Sequence, residues 1–200
     1  MQNNLPLSFQ NGYGPIGPYG RFAPFGPLPL VGDWFVFESG NFSRADCSTL
    51  VIRFCWNGLP ENFASYYHGY SISPSMNNRS FKVDFYLLEV GFPRLLNERP
   101  LDLFAEDEKG VLVPERLYKL KMDPRWLAAC GFRIRMVLVG PADGFGSVGY
   151  PEAVVASALA TAQGKRTLAL HPPFAPLLSA VEVFWEDGSA HLQDPQTILF

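Results

Sequence analysis

Apolar and polar residues alternate along several stretches after residue 33, which is the pattern of strands with one buried face. The alternation is clearest in residues 81–90 and 132–139. Residues 34–37 form a short apolar stretch and residues 48–56 are rich in β-branched and aromatic residues, which also predicts strands. Weaker strands are predicted at residues 65–71, 101–105, 111–113, 167–170, 181–185 and 190–192. Many short strands separated by frequent turns predict a mainly β fold, an antiparallel sandwich of jelly-roll-like type.

The strand periodicity also assigns the core. Side chains two positions apart point to the same face of a strand, so the apolar face of each alternating stretch is expected to be buried. The residues that we expect to be largely buried on this basis are Phe54, Trp56, Phe85, Leu87, Ile134, Met136, Leu138 and Val183.

Turn and cap residues add two hairpins and two helices. Residues 106–110 and 187–188 each separate two apolar stretches and contain a glycine suited to a positive φ. Short helices are predicted at residues 124–130 and 151–163. Each begins at a proline, which the first helical turn tolerates, and each is followed by a glycine that can end it.

Residues 1–32 have a different composition, with six glycines, six prolines, five aromatic residues and one charge. Glycine and proline disfavour both a helix and a central strand. We therefore predict an extended arm at residues 1–32, followed by a single β-rich domain at residues 33–200. Deleting residues 1–30 is expected to leave the β domain folded and to weaken association.

The arm carries five large aromatic side chains, which would expose apolar surface in water. We predict that these side chains bind a protein partner. They are Phe9, Tyr13, Tyr19, Phe22 and Phe25.

Charge and hydropathy exclude several classes of protein. The chain has 200 residues and a formal net charge of −3, with 48% hydrophobic and 18% charged residues. The densest basic stretch, residues 116–125, alternates with apolar residues like the solvated face of a strand, so direct binding of nucleic acid is not expected. No apolar run is long enough to span a membrane, and no membrane partner is expected.

The three cysteines, Cys47, Cys55 and Cys130, are few, odd in number and without C-x-x-C spacing. This pattern indicates neither a disulfide framework nor a zinc site. The first residues lack the basic and apolar regions of a secretory signal. We therefore expect an intracellular, reducing compartment, with a virion as a further location.

The segment Gly144–Gly149 matches the G-x-G-x-x-G pattern and stands between a predicted strand and a predicted helix. That context can place a dinucleotide pyrophosphate at a helix N-terminus. Against it, the preceding strands are expected to be antiparallel, and no acidic residue follows the next strand to hold a ribose. We predict an ordinary connecting loop and no cofactor.

The histidines, His68, His171 and His191, lie far apart in the sequence and have no metal-ligand spacing. The acidic turn at residues 106–108 lacks the spaced oxygen ligands of a calcium loop. A triad of one histidine with a serine or cysteine stays open, because triads form in space rather than in sequence. We predict no metal site, no catalytic residues and no enzymatic activity.

An aromatic arm before a β-sandwich resembles the arrangement of many viral shell proteins. The resemblance implies a structural subunit of a multi-chain assembly, of virion or capsid type, whose partners are protein subunits, including further copies of itself. Two alternatives stay open. One is a small-molecule or nucleotide-binding β protein that uses Gly144–Gly149, and the other is a monomeric host-interaction module.

Overall fold

The computed structural model of the protein describes residues 7–17, 20–39, 49–70, 76–88, 92–126, 132–165, 170–186 and 196–199. Within these residues the chain is mainly β, with two antiparallel sheets packed face to face. This confirms the predicted antiparallel sandwich.

The elements are numbered in chain order. The strands are β1 (Ser8–Asn11), β2 (Gly14–Ile16), β3 (Trp34–Ser39), β4 (Thr49–Asn57), β5 (Lys82–Leu88), β6 (Pro93–Leu95), β7 (Leu101–Asp102), β8 (Ala105–Glu106), β9 (Leu112–Val113), β10 (Glu115–Lys121), β11 (Phe132–Gly140), β12 (Leu177–Glu186) and β13 (Gln196–Leu199). The helices are α1 (Phe63–Tyr66) and α2 (Tyr150–Ala162), and Pro124–Trp126 forms a 3-10 turn.

The large sheet has seven strands in the order β2-β1-β3-β11-β5-β6, with β7 also paired to β5. The small sheet has four strands in the order β10-β4-β12-β13. Strands β8 and β9 form a separate hairpin. The long strands β4, β5 and β11 lie within one residue or two of their predicted bounds. Strands β5 and β11 alternate apolar and polar residues, and β4 is rich in β-branched and aromatic residues, so each gives a clear strand signal.

The core is an aromatic layer between the sheets. The Phe54 ring from the small sheet lies 6.3 Å from Phe35 and 6.0 Å from Phe37 of the large sheet, centroid to centroid. Tyr118 packs on the same ring at 5.6 Å. All eight residues that the sequence assigns to the core are buried, each no more than 3% exposed.

The arm contradicts one prediction, that residues 1–32 contain no central strand. Strand β1 lies between β2 and β3, and Phe9 of β1 opposes Phe37 of β3. Residues 7–11 hold neither glycine nor proline, so an alternating strand forms there. Pro15 belongs to β2 at the sheet edge, where its missing N–H removes no bond to a further strand. The domain boundary at residue 33 stays a prediction.

The predicted strand at residues 65–71 is wrong, because residues 63–66 form α1 instead. The side chain of Asn62 caps this helix by accepting a hydrogen bond of 2.8 Å from the Ser65 N–H. The predicted 151–163 helix is confirmed as α2.

The first predicted helix is confirmed only as the 3-10 turn, and residues 127–130 lie outside the described residues. The hairpin around residues 106–110 is confirmed by β8 and β9, with Gly110 at φ +77. Parts of the predicted strand at 167–170 and of the predicted 187–192 hairpin lie outside the described residues, at positions 166–169 and 187–195. Of the helices that the structure describes, none is long and apolar enough to cross a membrane.

Candidate interaction surface

The loop between β11 and α2 packs into the core. Its Phe145 side chain is fully buried, and the ring lies 4.4 Å from the Phe81 ring, centroid to centroid. The Tyr67 hydroxyl donates a hydrogen bond of 2.6 Å to the Phe145 carbonyl oxygen, and the Phe174 N–H donates to the same oxygen at 3.2 Å. The loop is therefore held by the aromatic residues beneath it.

Packing and backbone conformation account for two glycines of the Gly144–Gly149 pattern. Gly144 has φ +59, and a Cβ there would lie 2.2 Å from the carbonyl oxygen of Pro29. Gly146 has φ +90, and a Cβ there would lie 2.6 Å from a ring carbon of Tyr67. Both positions need glycine whether or not a ligand binds.

The surroundings of the loop differ from a dinucleotide site. Strand β11 pairs antiparallel with β3 and with β5, whereas the dinucleotide fold places its glycine loop in a parallel βαβ unit. That the loop binds no dinucleotide stays a prediction.

Helix α2 follows this loop and is mostly exposed to solvent. Of its thirteen residues only Ala153 is buried, while Tyr150, Ser157 and Ala160 are half-buried on the same side. Tyr150 contacts Tyr70 with ring centroids 6.0 Å apart. The helix is therefore anchored at its N-terminal end and along a narrow line of small residues.

Most of the remaining surface of α2 is apolar and faces solvent. Val155 and Leu159 are each 59% exposed, and Val154 is 41% exposed. Glu152 is the only charged residue in the helix. We call the side opposite Ala153 the α2 stripe; its members are Pro151, Val155, Ala158, Leu159 and Ala162. A solvated helix ordinarily carries charged residues on its outer side, so an uncharged outer side is typical of a surface that another molecule covers.

The arm aromatics occupy different environments. Phe9 and Phe25 are buried in the core, and Phe22 is half-buried, with its ring 5.4 Å from that of Phe35. Tyr13 is 70% exposed, and Tyr19 lies outside the described residues. A partner-binding role for these residues stays a prediction, and among those described only Tyr13 presents most of its ring to solvent.

Two of the histidines are described, and both are exposed. The His171 ring stacks on Tyr66 with centroids 4.6 Å apart. Within the described residues, neither His68 nor His171 makes a side-chain hydrogen bond to a serine, a cysteine or a carboxylate. His191 lies outside them, so a triad that uses it is not tested.

The tyrosines next to His171 donate hydrogen bonds to backbone carbonyl oxygens. The Tyr66 hydroxyl donates a hydrogen bond of 2.9 Å to the Pro172 carbonyl oxygen, and the Tyr70 hydroxyl donates to the His171 carbonyl oxygen. Burial raises the pKa of Tyr70 to about 12 and also raises the pKa of Tyr66 and of Tyr67. These hydroxyls stay protonated at neutral pH and fix backbone carbonyls.

Cys55 lies half-buried on the outer face of the small sheet, and its thiol is free. Burial is the largest cause that raises its pKa, and the Glu115 carboxylate adds to it. A thiol with a raised pKa is a poor nucleophile at neutral pH. In the next row of the same face, the Arg53 guanidinium pairs with the buried Glu182. Cys47 and Cys130 lie outside the described residues.

Carboxylates of the acidic turn at residues 106–108 stabilise the β8–β9 hairpin. Asp107 Oδ1 accepts hydrogen bonds of 2.8 Å from the Lys109 N–H and 2.9 Å from the Val111 N–H, and Glu106 pairs with Arg79. Across the described ranges, no three side chains of His, Cys, Asp or Glu lie close enough together to hold a metal ion.

Sequence reasoning located α2 but did not assign the α2 stripe. The signal was present, because Pro151, Val155, Ala158 and Ala162 recur at helical spacing and no charge falls between Glu152 and Lys165.

Comparisons with known proteins give little further information. No family model and no curated protein matches the chain. Among solved structures, the K1 cleaved adhesin domain of Lys-gingipain from Porphyromonas gingivalis W83 is similar at 11% sequence identity, with a TM-score of 0.29. The match covers 68% of this chain and 83% of that domain.

Proposed function

We propose that this protein is a non-enzymatic structural subunit of a multi-chain assembly, of the virion or capsid type, and that it contacts other subunits through the α2 stripe. The observation that carries the proposal is the exposure of Val155 and Leu159 on an uncharged helix surface. Removing such side chains from water favours association by about 25 cal/mol per Å² of apolar area.

The packing of the sandwich also supports this role. In the described residues the two sheets bury an aromatic core, so the domain is folded without a partner and α2 is presented on its surface. The arm contributes Phe9 and Phe25 to that core and leaves Tyr13 as its candidate contact residue. A reducing compartment belongs to the same proposal, and the free thiol of Cys55 fits it.

The alternative of a nucleotide-binding protein receives less support. The two glycines at positions 144 and 146 have packing reasons, and the Phe145 ring is buried between Phe81 and its neighbours rather than open to a base. We therefore place the contact surface on α2 and not on the preceding loop.

Sedimentation velocity of the full chain over a wide range of concentration tests the proposal. We expect the mean mass to rise above the 22.3 kDa of one chain as concentration increases. A mass that stays at one chain up to about 0.5 mM would overturn it, because even weak specific interfaces populate complexes at such concentrations.

Leu159→Arg places a charge at the centre of the α2 stripe and is expected to weaken association. Leu117→Arg is the matched control, because Leu117 is similarly exposed but lies on β10 of the small sheet. Equal weakening by both variants would contradict an interface on α2.

A further inference from the structure

We propose that the α2 stripe packs against the α2 stripe of a second copy of this chain, with the two helices antiparallel and Glu152 of each beside Lys165 of the other. The inference rests on the proposed function and specifies its first contact. It follows from the charges of the helix, from the sizes of the stripe residues and from what stays unpaired in a single chain.

The charges at the two ends of α2 are complementary only between copies. Glu152 lies in the first turn, and Lys165 follows the last turn. The backbone of Lys165 is held at the end of the helix, since its N–H donates a hydrogen bond of 2.9 Å to the Ala160 carbonyl oxygen. The thirteen residues of α2 span about 20 Å, so the two charges lie at opposite ends of the helix and cannot pair within one chain. Among the described residues, neither has an ion-pair partner.

An antiparallel second copy brings these opposite charges together twice. In a parallel arrangement, Glu152 would instead face Glu152 and Lys165 would face Lys165. The helix dipoles favour the same choice, because antiparallel helices place each positive N-terminus next to a negative C-terminus. Charge therefore selects both the partner and its direction.

The register that pairs Glu152 with Lys165 also fits the side-chain sizes. It places Val155 opposite Ala162 of the second copy and Leu159 opposite Ala158. Each large exposed side chain then meets a small one, and alanine lets the helices approach closely. The side of α2 that bears Ala153 stays on its own chain.

This contact is symmetric about a two-fold axis and buries little surface. The same residues meet on both sides of a two-fold axis, so the α2 stripe of each copy is used once and the product is a dimer. Two helices of about 20 Å bury less than the roughly 800 Å² per partner of a standard interface. We therefore expect a dissociation constant in the micromolar range or weaker, and larger assemblies need a second surface.

Charge reversal tests the register. Glu152→Lys and Lys165→Glu are each expected to raise the dissociation constant about three- to tenfold by sedimentation equilibrium, because each creates two like-charge contacts per dimer. An equimolar mixture of these two variants is expected to regain the wild-type constant, since both contacts are then between opposite charges. Circular dichroism of each variant checks that α2 remains folded.

The outcomes separate this inference from the proposed function. If Leu159→Arg weakens association but both charge reversals leave the constant unchanged, the α2 interface stands and the antiparallel self-pairing is overturned. If wild type associates and Leu159→Arg has no effect, both the self-pairing and the proposed contact through α2 are overturned, while assembly through another surface remains. If wild type is monomeric throughout, both proposals fail.

Discussion

The Tyr67 hydroxyl donates a hydrogen bond of 2.6 Å to the carbonyl oxygen of Phe145, and the Tyr67 ring edge lies where a side chain on the next residue would stand. One tyrosine thus fixes the loop by a polar contact and restricts it by a steric one. The glycine pattern that suggests a phosphate site in the sequence is, in the structure, a consequence of this packing.

The first prediction tests that steric restriction. Gly146→Ala would place a Cβ 2.6 Å from a Tyr67 ring carbon. Gly32→Ala is the matched control, because Gly32 has φ +97 with open space around it, against φ +90 at Gly146. We expect about 1–2 kcal/mol of destabilisation from backbone strain in the control. At position 146 we expect about 1–3 kcal/mol more from overpacking. Equal losses in urea denaturation would contradict the close contact.

The second prediction concerns ligands of the same loop. NAD and ATP are each expected to leave the melting temperature unchanged, because the loop lacks a βαβ unit and an acidic partner for the ribose. Thermal denaturation with and without each nucleotide measures this. A nucleotide-dependent rise in melting temperature that Gly146→Val abolishes would instead show a binding site in the loop.

The third prediction tests the aromatic layer between the sheets. Phe54 is fully buried and packs on Phe35, Phe37 and Tyr118. Phe54→Ala is expected to lower the free energy of unfolding by about 3–5 kcal/mol. Phe92→Ala is the control, since Phe92 is 88% exposed, and we expect a change within about 0.5 kcal/mol. A loss below about 1 kcal/mol at position 54 would be inconsistent with a filled core there.

The sequence alone predicts an element and its buried face correctly where a single periodicity or a clear pair of end signals is present. The strand around Phe85 alternates without interruption, so its buried face could be predicted residue by residue. Helix α2 was predictable because a proline and a glycine bracket an alanine-rich segment.

Elsewhere local preference and the final structure disagree. The aromatic residues after Phe63 favour a strand by propensity, but the Asn62 cap and the core packing of Tyr67 produce a helical turn. The arm looked unable to pair because proline and glycine dominate its average, although residues 7–11 lack both. Pairing of β1 with β3 depends on contacts distant in sequence, which composition does not encode.

The fourth prediction distinguishes core and surface roles within the arm. Phe9 is buried and stacks on Phe35 at 5.7 Å, whereas Tyr13 is 70% exposed. Phe9→Ala is expected to cost about 3–5 kcal/mol of stability. Tyr13→Ala is expected to cost less than about 1 kcal/mol and to weaken association if the arm binds a partner.

Deleting residues 1–30 is expected to lower the melting temperature, since the deletion removes β1 and the buried Phe25. An unchanged melting temperature after deletion would show that the arm is independent of the core.

The fifth prediction concerns high pH. Burial raises the pKa of Tyr70 to about 12 from an ordinary value near 10, and raises the pKa of Tyr67 and Tyr118 as well. Above about pH 10 the unfolded chain therefore releases protons that the folded chain retains, so the free energy of unfolding falls as pH rises.

Tyr70→Phe removes one of the hydroxyl protons that the folded chain retains and the unfolded chain releases above about pH 10. Its urea midpoint is expected to fall less steeply than that of wild type between about pH 10 and 12, while below about pH 9 the variant is less stable by about 1 kcal/mol through loss of the hydrogen bond to the His171 carbonyl. Tyr13→Phe, which keeps the buried hydroxyls, serves as the control. Parallel curves for Tyr70→Phe and wild type would show that the Tyr70 hydroxyl titrates in the folded chain as it does in the unfolded one.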